Sequence, residues 1–310
     1  HINLIVGPNG TGKSLLADEL KNQLTTQGYK VRLLNAERLS GFEKTVYRDF
    51  TGLASVAGFE KGFDMSKFSS LKSSGEKFGL SSDAFILLKE RLDIRIKIEA
   101  LLSDIFGKTI RLVEEDGFLK PKMQNNISGL EYALKEKECH GLKEILTLLT
   151  FLYDDTKNCI ILDEPELHLH PQFQSFLLSE IRKFAGDPIL DSNKKIFFII
   201  THSPYFLDLR DLQDLKNILV CHYNSTPNFI DTLDTQDEYT LNRFLPRFNT
   251  HHKQFFFSPN PVFVEGYTDQ QIISLLFDKL DYNINASGSS IIDVGGKDEL
   301  AVFFRLCKKL

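Results

Sequence analysis

The stretch that decides the fold is Ile2-Asn3-Leu4-Ile5-Val6-Gly7-Pro8-Asn9-Gly10-Thr11-Gly12-Lys13-Ser14. Its first five residues form a short apolar run, which predicts a buried β-strand. Leu16, Leu20 and Leu24 follow the stretch at a spacing of four residues, which predicts a helix with one apolar face. The glycine-rich segment therefore joins a strand to a helix.

In that setting, the loop has the G-x4-G-K-S form that binds phosphate groups. Glycines let the backbone turn its N–H groups inward, and the helix N-terminus adds a partial positive charge. Lys13 is predicted to reach the β- and γ-phosphates of ATP, and the Ser14 hydroxyl to bind Mg²⁺. The predicted nucleotide-binding residues are Asn9, Gly10, Thr11, Gly12, Lys13 and Ser14.

A second segment, Ile160-Ile161-Leu162-Asp163-Glu164-Pro165, supplies two carboxylates. An apolar strand would deliver both acids at its carboxyl end, where α/β sheets bind ligands. We expect Asp163 to hold the Mg²⁺ shell and Glu164 to polarise the attacking water as a general base.

The remaining pattern favours an α/β fold with a largely parallel sheet. Strands at 30–34, 159–162 and 196–200 are continuous apolar runs separated by helical segments. Thr109–Val113 and Phe118–Met123 predict a hairpin, whereas the apolar positions between Leu87 and Ile105 fit a helix and in part a strand. Residues 40–82 lack a sustained period and predict loops with short helices.

Composition narrows the functional classes. The formal net charge is −5, so DNA binding must rest on a local basic patch or on bridging metals. No apolar run approaches the roughly 18 residues of a membrane span, so no membrane partner is expected. The four cysteines form no C-x-x-C pair, which is typical of reduced thiols and predicts a cytoplasmic protein.

Two segments resemble the ABC-type ATPases of the RecF, SMC and OLD nuclease group. They are Asp163-Glu164-Pro165-Glu166-Leu167-His168-Leu169-His170-Pro171 and Ile200-Thr201-His202-Ser203-Pro204. The resemblance implies that His202 senses the γ-phosphate and that residues 166–168 contact a second ATPase head. It therefore implies a homo-oligomer assembled through ATPase heads.

The same resemblance places the family's signature segment at Cys139-His140-Gly141-Leu142-Lys143, although Cys139 departs from the usual small residue. Gly141 would complete the nucleotide site of the other head. Asn35-Ala36-Glu37-Arg38 occupies the region of the glutamine loop, which makes Arg38 a candidate nucleotide or partner contact.

Simpler interpretations remain open for several of these residues. His168 and His170, beside Glu164 and Glu166, have the chemistry of a zinc site. His202 could be an ordinary histidine at a strand end, and Cys139 a small packing residue.

Near the end of the sequence, Pro261-Val262-Phe263-Val264-Glu265-Gly266-Tyr267-Thr268-Asp269 resembles the opening of a Toprim domain. That resemblance places Glu265 and Asp269 together at a strand end, where paired carboxylates suit Mg²⁺ or Mn²⁺ and activate water. The family carries an Asp-x-Asp pair on a third strand, and none occurs between Gly296 and Leu310. We therefore expect an incomplete Toprim module that is inactive on DNA in a chain ending at Leu310. The alternative is a small α/β appendage with an incidental pair of acids.

These patterns predict an ABC/OLD-type ATPase domain at 1–245, a linker at 246–260 and the start of a Toprim nuclease domain at 261–310. Pro246, Pro259 and Pro261 mark the boundary. This order resembles the OLD family and implies an ATP-dependent DNA endonuclease of anti-phage defence. DNA and a partner defence protein or nucleic-acid component are its expected partners, and nucleotide state would gate the metal site. The alternatives are a RecF/SMC-like DNA-associated ATPase and a nucleotide-sensing regulatory subunit.

Overall fold

A computed structural model describes residues 1–39, 62–223, 226–284 and 286–310. Residues 40–61, about half of the segment predicted as loops with short helices, thus lie outside the described residues. The chain divides into a first unit, residues 1–19 with 197–310, and a second unit, residues 20–196. This division differs from the sequence-based domain limits, which stay a prediction.

The sheet of the first unit is largely parallel. In spatial order its strands are β10 (Asn228–Phe229), β9 (Ile218–Val220), β1 (Ile2–Val6) and β8 (Ile196–Ile200). Strand β1 runs parallel to both neighbours, and only β10 is antiparallel. The apolar residues Leu4, Ile5 and Val6 are buried, as a central strand requires.

The second unit contains a parallel pair and an antiparallel sheet. Strands β2 (Val31–Leu34) and β7 (Cys159–Asp163) are parallel, and every residue in them is buried. The antiparallel strands are β3 (Phe63–Asp64), β4 (Lys108–Glu115), β5 (Phe118–Asn125) and β6 (Glu131–Ala133). The predicted hairpin is β4–β5, and its turn residues Asp116 and Gly117 both have positive φ, which matches the strand twist.

Helix α1 (Lys13–Thr26) begins in the first unit and ends in the second. The other helices of the second unit are α2 (Phe68–Phe78), α3 (Ala84–Glu90), α4 (Leu92–Phe106), α5 (Leu134–Lys137), α6 (His140–Tyr153) and α7 (Pro171–Phe184). Residues 87–105 are therefore helical, with a break at Arg91, and the strand alternative is not observed. Helix α6 is buried over almost its whole length and forms the centre of this unit's core. Pro171 opens α7, where proline lacks only an N–H that would have no helical partner.

The helices of the first unit are α8 (Leu212–Lys216), α9 (Thr235–Phe244), α10 (Thr250–Lys253), α11 (Tyr267–Lys279) and α12 (Lys297–Lys309). Helices α11 and α12 accompany two parallel strands, β11 (Asn260–Val264) and β12 (Ser289–Asp293). Within the described ranges, no helix is both long enough and apolar enough to cross a membrane.

Residues 246–260 are packed rather than extended. Phe248, Phe255 and Phe256 are buried, and the Phe248 ring stacks on Phe303 of α12 with centroids 5.6 Å apart. His252 lies in the same cluster, where burial lowers its pKa. The segment predicted as a linker thus belongs to the core around the last helix.

Candidate nucleotide and metal sites

The glycine loop begins at the end of β1, which is paired with β9. The Cys221 N–H donates to Val6 O at 2.8 Å, which closes the strand end. Gly7 has a φ of 134°, and a Cβ there would stand 2.2 Å from Cys221 O. Only glycine fits this position, and Gly10 and Gly12 also have positive φ. The loop geometry is thus fixed by the sheet as well as by its own sequence.

Lys13 lies at the centre of this loop. The residue is only 5 % exposed, and Nζ donates to Gly7 O at 3.0 Å and to Pro8 O at 2.7 Å. The Thr11 hydroxyl donates to Pro8 O at 2.9 Å, which closes the turn. Ser14 is exposed one residue later in α1. A buried ammonium at a helix N-terminus, ringed by glycines, fits the phosphates of a nucleotide.

His202 follows the strand next to the loop. Strands β1 and β8 are parallel with Ile5 opposite Ile200, and the Thr201 N–H donates to Ile5 O at 3.2 Å. The carboxyl ends of the two strands therefore lie at one sheet edge, and the loop and His202 share it. His202 itself is half-buried. The structure thus brings together these two predicted elements.

Tyr223 is a contact that the sequence did not reveal. Its hydroxyl donates to Asn9 O at 2.6 Å, and its ring lies 3.8 Å from the position of a Cβ on Gly10. The residue follows β9, which pairs with β1, so its approach to the loop depends on the strand order. An isolated tyrosine after a short strand carries no motif that could have indicated this.

In the second unit, Asp163 and Glu164 stand at the end of β7, as predicted. Asp163 is 3 % exposed and Glu164 is half-buried. Glu164 has a φ of 47°, a left-handed conformation that is costly for a residue with a side chain. Such strain persists only where surrounding structure enforces it, which makes Glu164 a candidate functional residue.

Arg38 lies at the same edge because β2 and β7 are parallel, with Leu34 opposite Leu162. Its side chain is fully buried, and Nε donates to Glu144 Oε2 at 2.7 Å. Its terminal nitrogens donate to the carbonyl oxygens of Asp163 and Glu164 at 3.0 and 3.3 Å. Arg38 therefore has an internal role, which the sequence pattern did not indicate.

The segment around Gly141 packs against residues 166–168. A Cβ on Gly141 would lie 2.7 Å from His168 O, and the rings of His140 and His168 are 5.0 Å apart. His140, His168 and Cys139 are exposed. The two segments assigned to contact a second head thus form one surface of this unit.

The zinc alternative finds no support in the described residues. No group of three or more His, Cys, Asp or Glu side chains in those ranges is arranged to hold a metal ion. His170 instead caps α7, since its Nδ1 accepts from the Gln172 N–H at 3.4 Å.

Glu265 and Asp269 occupy the places expected from the sequence. Glu265 directly follows β11 and Asp269 lies in the first turn of α11, and both are exposed. Val264 pairs with Asp293 at the end of β12, and Asp293 Oδ2 is 3.9 Å from His251 Nε2. Two carboxylates can supply only part of a divalent-metal site, which needs further oxygen ligands.

Comparison with known proteins agrees with this order of modules. Residues 256–310 match the family model of the overcoming lysogenization defect protein-like TOPRIM domain, and residues 87–207 match that of an AAA ATPase domain. The OLD nuclease of Thermus scotoductus (strain ATCC 700910 / SA-01) is 29 % identical over 157 residues. That match covers 49 % of this chain and 28 % of the relative, so the chain spans less than a third of that protein's length.

Among solved structures, similar chains include the SmcHead bound to the C-winged helix domain of ScpA. It is 12 % identical with a TM-score of 0.39, over 63 % of this chain and 54 % of that one. A structure from a study of ATP-driven dimerization of SMC ATPases is 14 % identical with a TM-score of 0.35, over 53 % of this chain and 97 % of that one.

The chain thus has a region that matches an AAA ATPase domain, followed by a region that matches an OLD-like TOPRIM domain. This confirms the resemblance inferred from the sequence and the predicted α/β class with a largely parallel sheet.

Proposed function

We propose that this protein binds and hydrolyses ATP, and that its nucleotide state controls cleavage of DNA at the TOPRIM region in an OLD-type nuclease of anti-phage defence. The observation that carries the ATPase part is the loop Gly7–Ser14. Its buried Lys13 ammonium shares a sheet edge with His202.

In this proposal each residue has a defined task. Lys13 neutralises the β- and γ-phosphates, and Ser14 and Asp163 hold Mg²⁺, which offsets phosphate charge. Glu164 accepts a proton from the attacking water as general base, and His202 donates a hydrogen bond to the γ-phosphate. Arrangements of this kind work through positioning and electrostatics, because the transferred phosphoryl group needs little covalent help.

The assembly follows from the surface formed by Gly141 and residues 166–168. We propose that two heads associate through this surface when ATP is bound, so that each Gly141 completes the partner's site.

The unpaired state of all four cysteines, which lie in described parts of the chain, supports a cytoplasmic location.

Phosphate release with Mg²⁺ and ATP tests the ATPase. Lys13→Ala is expected to abolish release, whereas Asp18→Asn, an exposed change on the same helix, should leave it intact. Turnover by the Lys13 variant at the rate of the unaltered protein would refute the site.

The nuclease part rests on Glu265 and Asp269, with Mg²⁺ or Mn²⁺ as the metal. We propose that these two acids act with an acidic pair on a further strand, since two carboxylates give too few ligands for a two-metal site. A protein with the continued TOPRIM region should nick supercoiled plasmid, and Glu265→Ala should abolish nicking while ATP binding persists.

A DNA-associated ATPase without nuclease activity is the second candidate, and a nucleotide-sensing regulatory subunit is the third. The observation behind them is that Glu265 and Asp269 are two exposed carboxylates, which are too few ligands for a two-metal site. Absence of nicking across both metals, with and without ATP, would support this alternative.

A further inference from the structure

Arg38 is one of the largest fully buried side chains in the second unit, and each of its nitrogens has an acceptor. Nε donates to Glu144 Oε2 at 2.7 Å. Nη1 donates to Asn35 O and Asp163 O, both at 3.0 Å, and Nη2 donates to Glu164 O at 3.3 Å. A buried arginine is costly unless it is paired and hydrogen-bonded, and this one meets both conditions.

The hydrogen bonds from Arg38 to the carbonyl oxygens of Asp163 and Glu164 have a specific geometric effect on Glu164. The Asp163 carbonyl belongs to the peptide plane before the Glu164 Cα, and the Glu164 carbonyl belongs to the plane after it. One planar guanidinium therefore holds both planes, and the orientation of those planes sets the direction of the Cα–Cβ bond. The same contacts oppose relaxation of the positive φ of Glu164.

Glu144 anchors this arrangement to helix α6. It is 1 % exposed and lies one turn after Gly141, within the helix that begins at His140. The guanidinium fork is therefore fixed on one side by a carboxylate and on the other by the backbone of the strand end.

We propose that Arg38 is a positioning residue for Glu164. It would aim the carboxylate at the attacking water through the backbone and would not touch the nucleotide. This inference rests on the proposed role of Glu164 as general base.

Arg38→Lys tests the proposal because lysine keeps the charge and loses the planar fork. We expect kcat for ATP hydrolysis to fall by about 100-fold, as for a misplacement of roughly 1 Å, with nucleotide affinity within about threefold of that of the unaltered protein. The matched control is Arg32→Lys. Arg32 is also buried and pairs with Asp83 at 2.7 Å in the same unit. That control should cost stability and leave kcat unchanged.

A double-variant cycle separates positioning from a general structural effect. In a Glu164→Gln background, Arg38→Lys should cause no further loss of kcat, because the group that it positions is gone. A loss that multiplies with that of Glu164→Gln would overturn the proposal.

If Arg38→Lys does not fold, Glu144→Gln tests the same proposal. Glutamine has the same shape as glutamate and weakens only the charged hydrogen bond that anchors Arg38. A fall in kcat of about tenfold or more with unchanged affinity would support the proposal. An unchanged kcat in a folded variant would overturn it. Turnover by Glu164→Gln at the unaltered rate would instead refute Glu164 as the base, and so the two failures are distinguishable.

Discussion

Replacing Gly7 by alanine tests the link between the sheet and the phosphate loop. The added Cβ would stand 2.2 Å from Cys221 O and 3.1 Å from two further backbone atoms of that residue. Ordinary contact begins at 3.4 Å, so strand β9 or the loop must move by about 1.2 Å. Such a shift breaks the hydrogen bond from the Cys221 N–H to Val6 O.

The cost has two parts. A residue with a side chain at a φ of 134° costs about 1–3 kcal/mol, and the steric overlap adds about 1–3 kcal/mol. The sum, roughly 2–6 kcal/mol, is a large share of the 5–15 kcal/mol that stabilises an ordinary protein. Gly28→Ala is the matched control, since its φ of 92° is also positive and no atom lies within 4 Å of the added carbon. It should cost only about 1–2 kcal/mol.

Urea denaturation of both variants measures the difference. A calorimetric titration with a nonhydrolysable ATP analogue should show that Gly28→Ala binds normally and that folded Gly7→Ala binds weakly. Equal unfolding free energies for the two variants would show that contact with β9 does not shape the loop.

Four further outcomes are expected. Lys13→Ala should weaken binding of a nonhydrolysable ATP analogue by at least about 100-fold, because charged hydrogen bonds are lost; unchanged affinity by calorimetry would remove the loop from the mechanism. Glu164→Gln should retain nucleotide affinity and slow phosphate release by about 10²–10⁴-fold, which a normal rate would contradict. Gly141→Arg should lose ATP-dependent association in light scattering, since the added side chain meets His168 O; normal association would place the contact elsewhere. Burial lowers the pKa of Lys195 to about 8 from 10.5, so the unfolded chain binds more protons between these values and stability should rise with pH there, by up to about 3 kcal/mol. Urea denaturation at pH 8 and 10 should show this rise and its loss in Lys195→Met, and equal slopes would refute it.

Local patterns predicted most of the elements. The apolar run before Gly7, the Asp116-Gly117 turn and Pro171 each act within a few residues of the structure that they specify. The acids Asp163 and Glu265 could be placed for the same reason, because Asp163 ends and Glu265 directly follows a strand that the local sequence predicts.

Residues 246–260 show what such local patterns leave out. Pro246, Pro259 and, just after the segment, Pro261 indicated a linker, since proline interrupts regular structure. Phe248, Phe255 and Phe256 are nevertheless buried, and Phe303, the ring partner of Phe248 and Phe255, lies about fifty residues further along the chain. Burial of large aromatic rings outweighs the local preference of proline, and no local pattern reports which distant helix will supply the other ring.

Arg38 extends the same argument to function. Its partners lie 106 residues away at Glu144 and 125 residues away at Asp163. The sequence made Arg38 a candidate nucleotide or partner contact, because its segment occupies the region of the glutamine loop in the resembling family. The pairing of β2 with β7 explains its position. In their parallel register the segment after β2 lies next to the end of β7, so Arg38 reaches the carbonyl oxygens of Asp163 and Glu164. A motif identifies the groups that carry chemistry, whereas the residues that hold those groups in place are defined by strand order. The double-variant cycle at Arg38 and Glu164 is therefore the experiment that tests what the structure adds to the sequence.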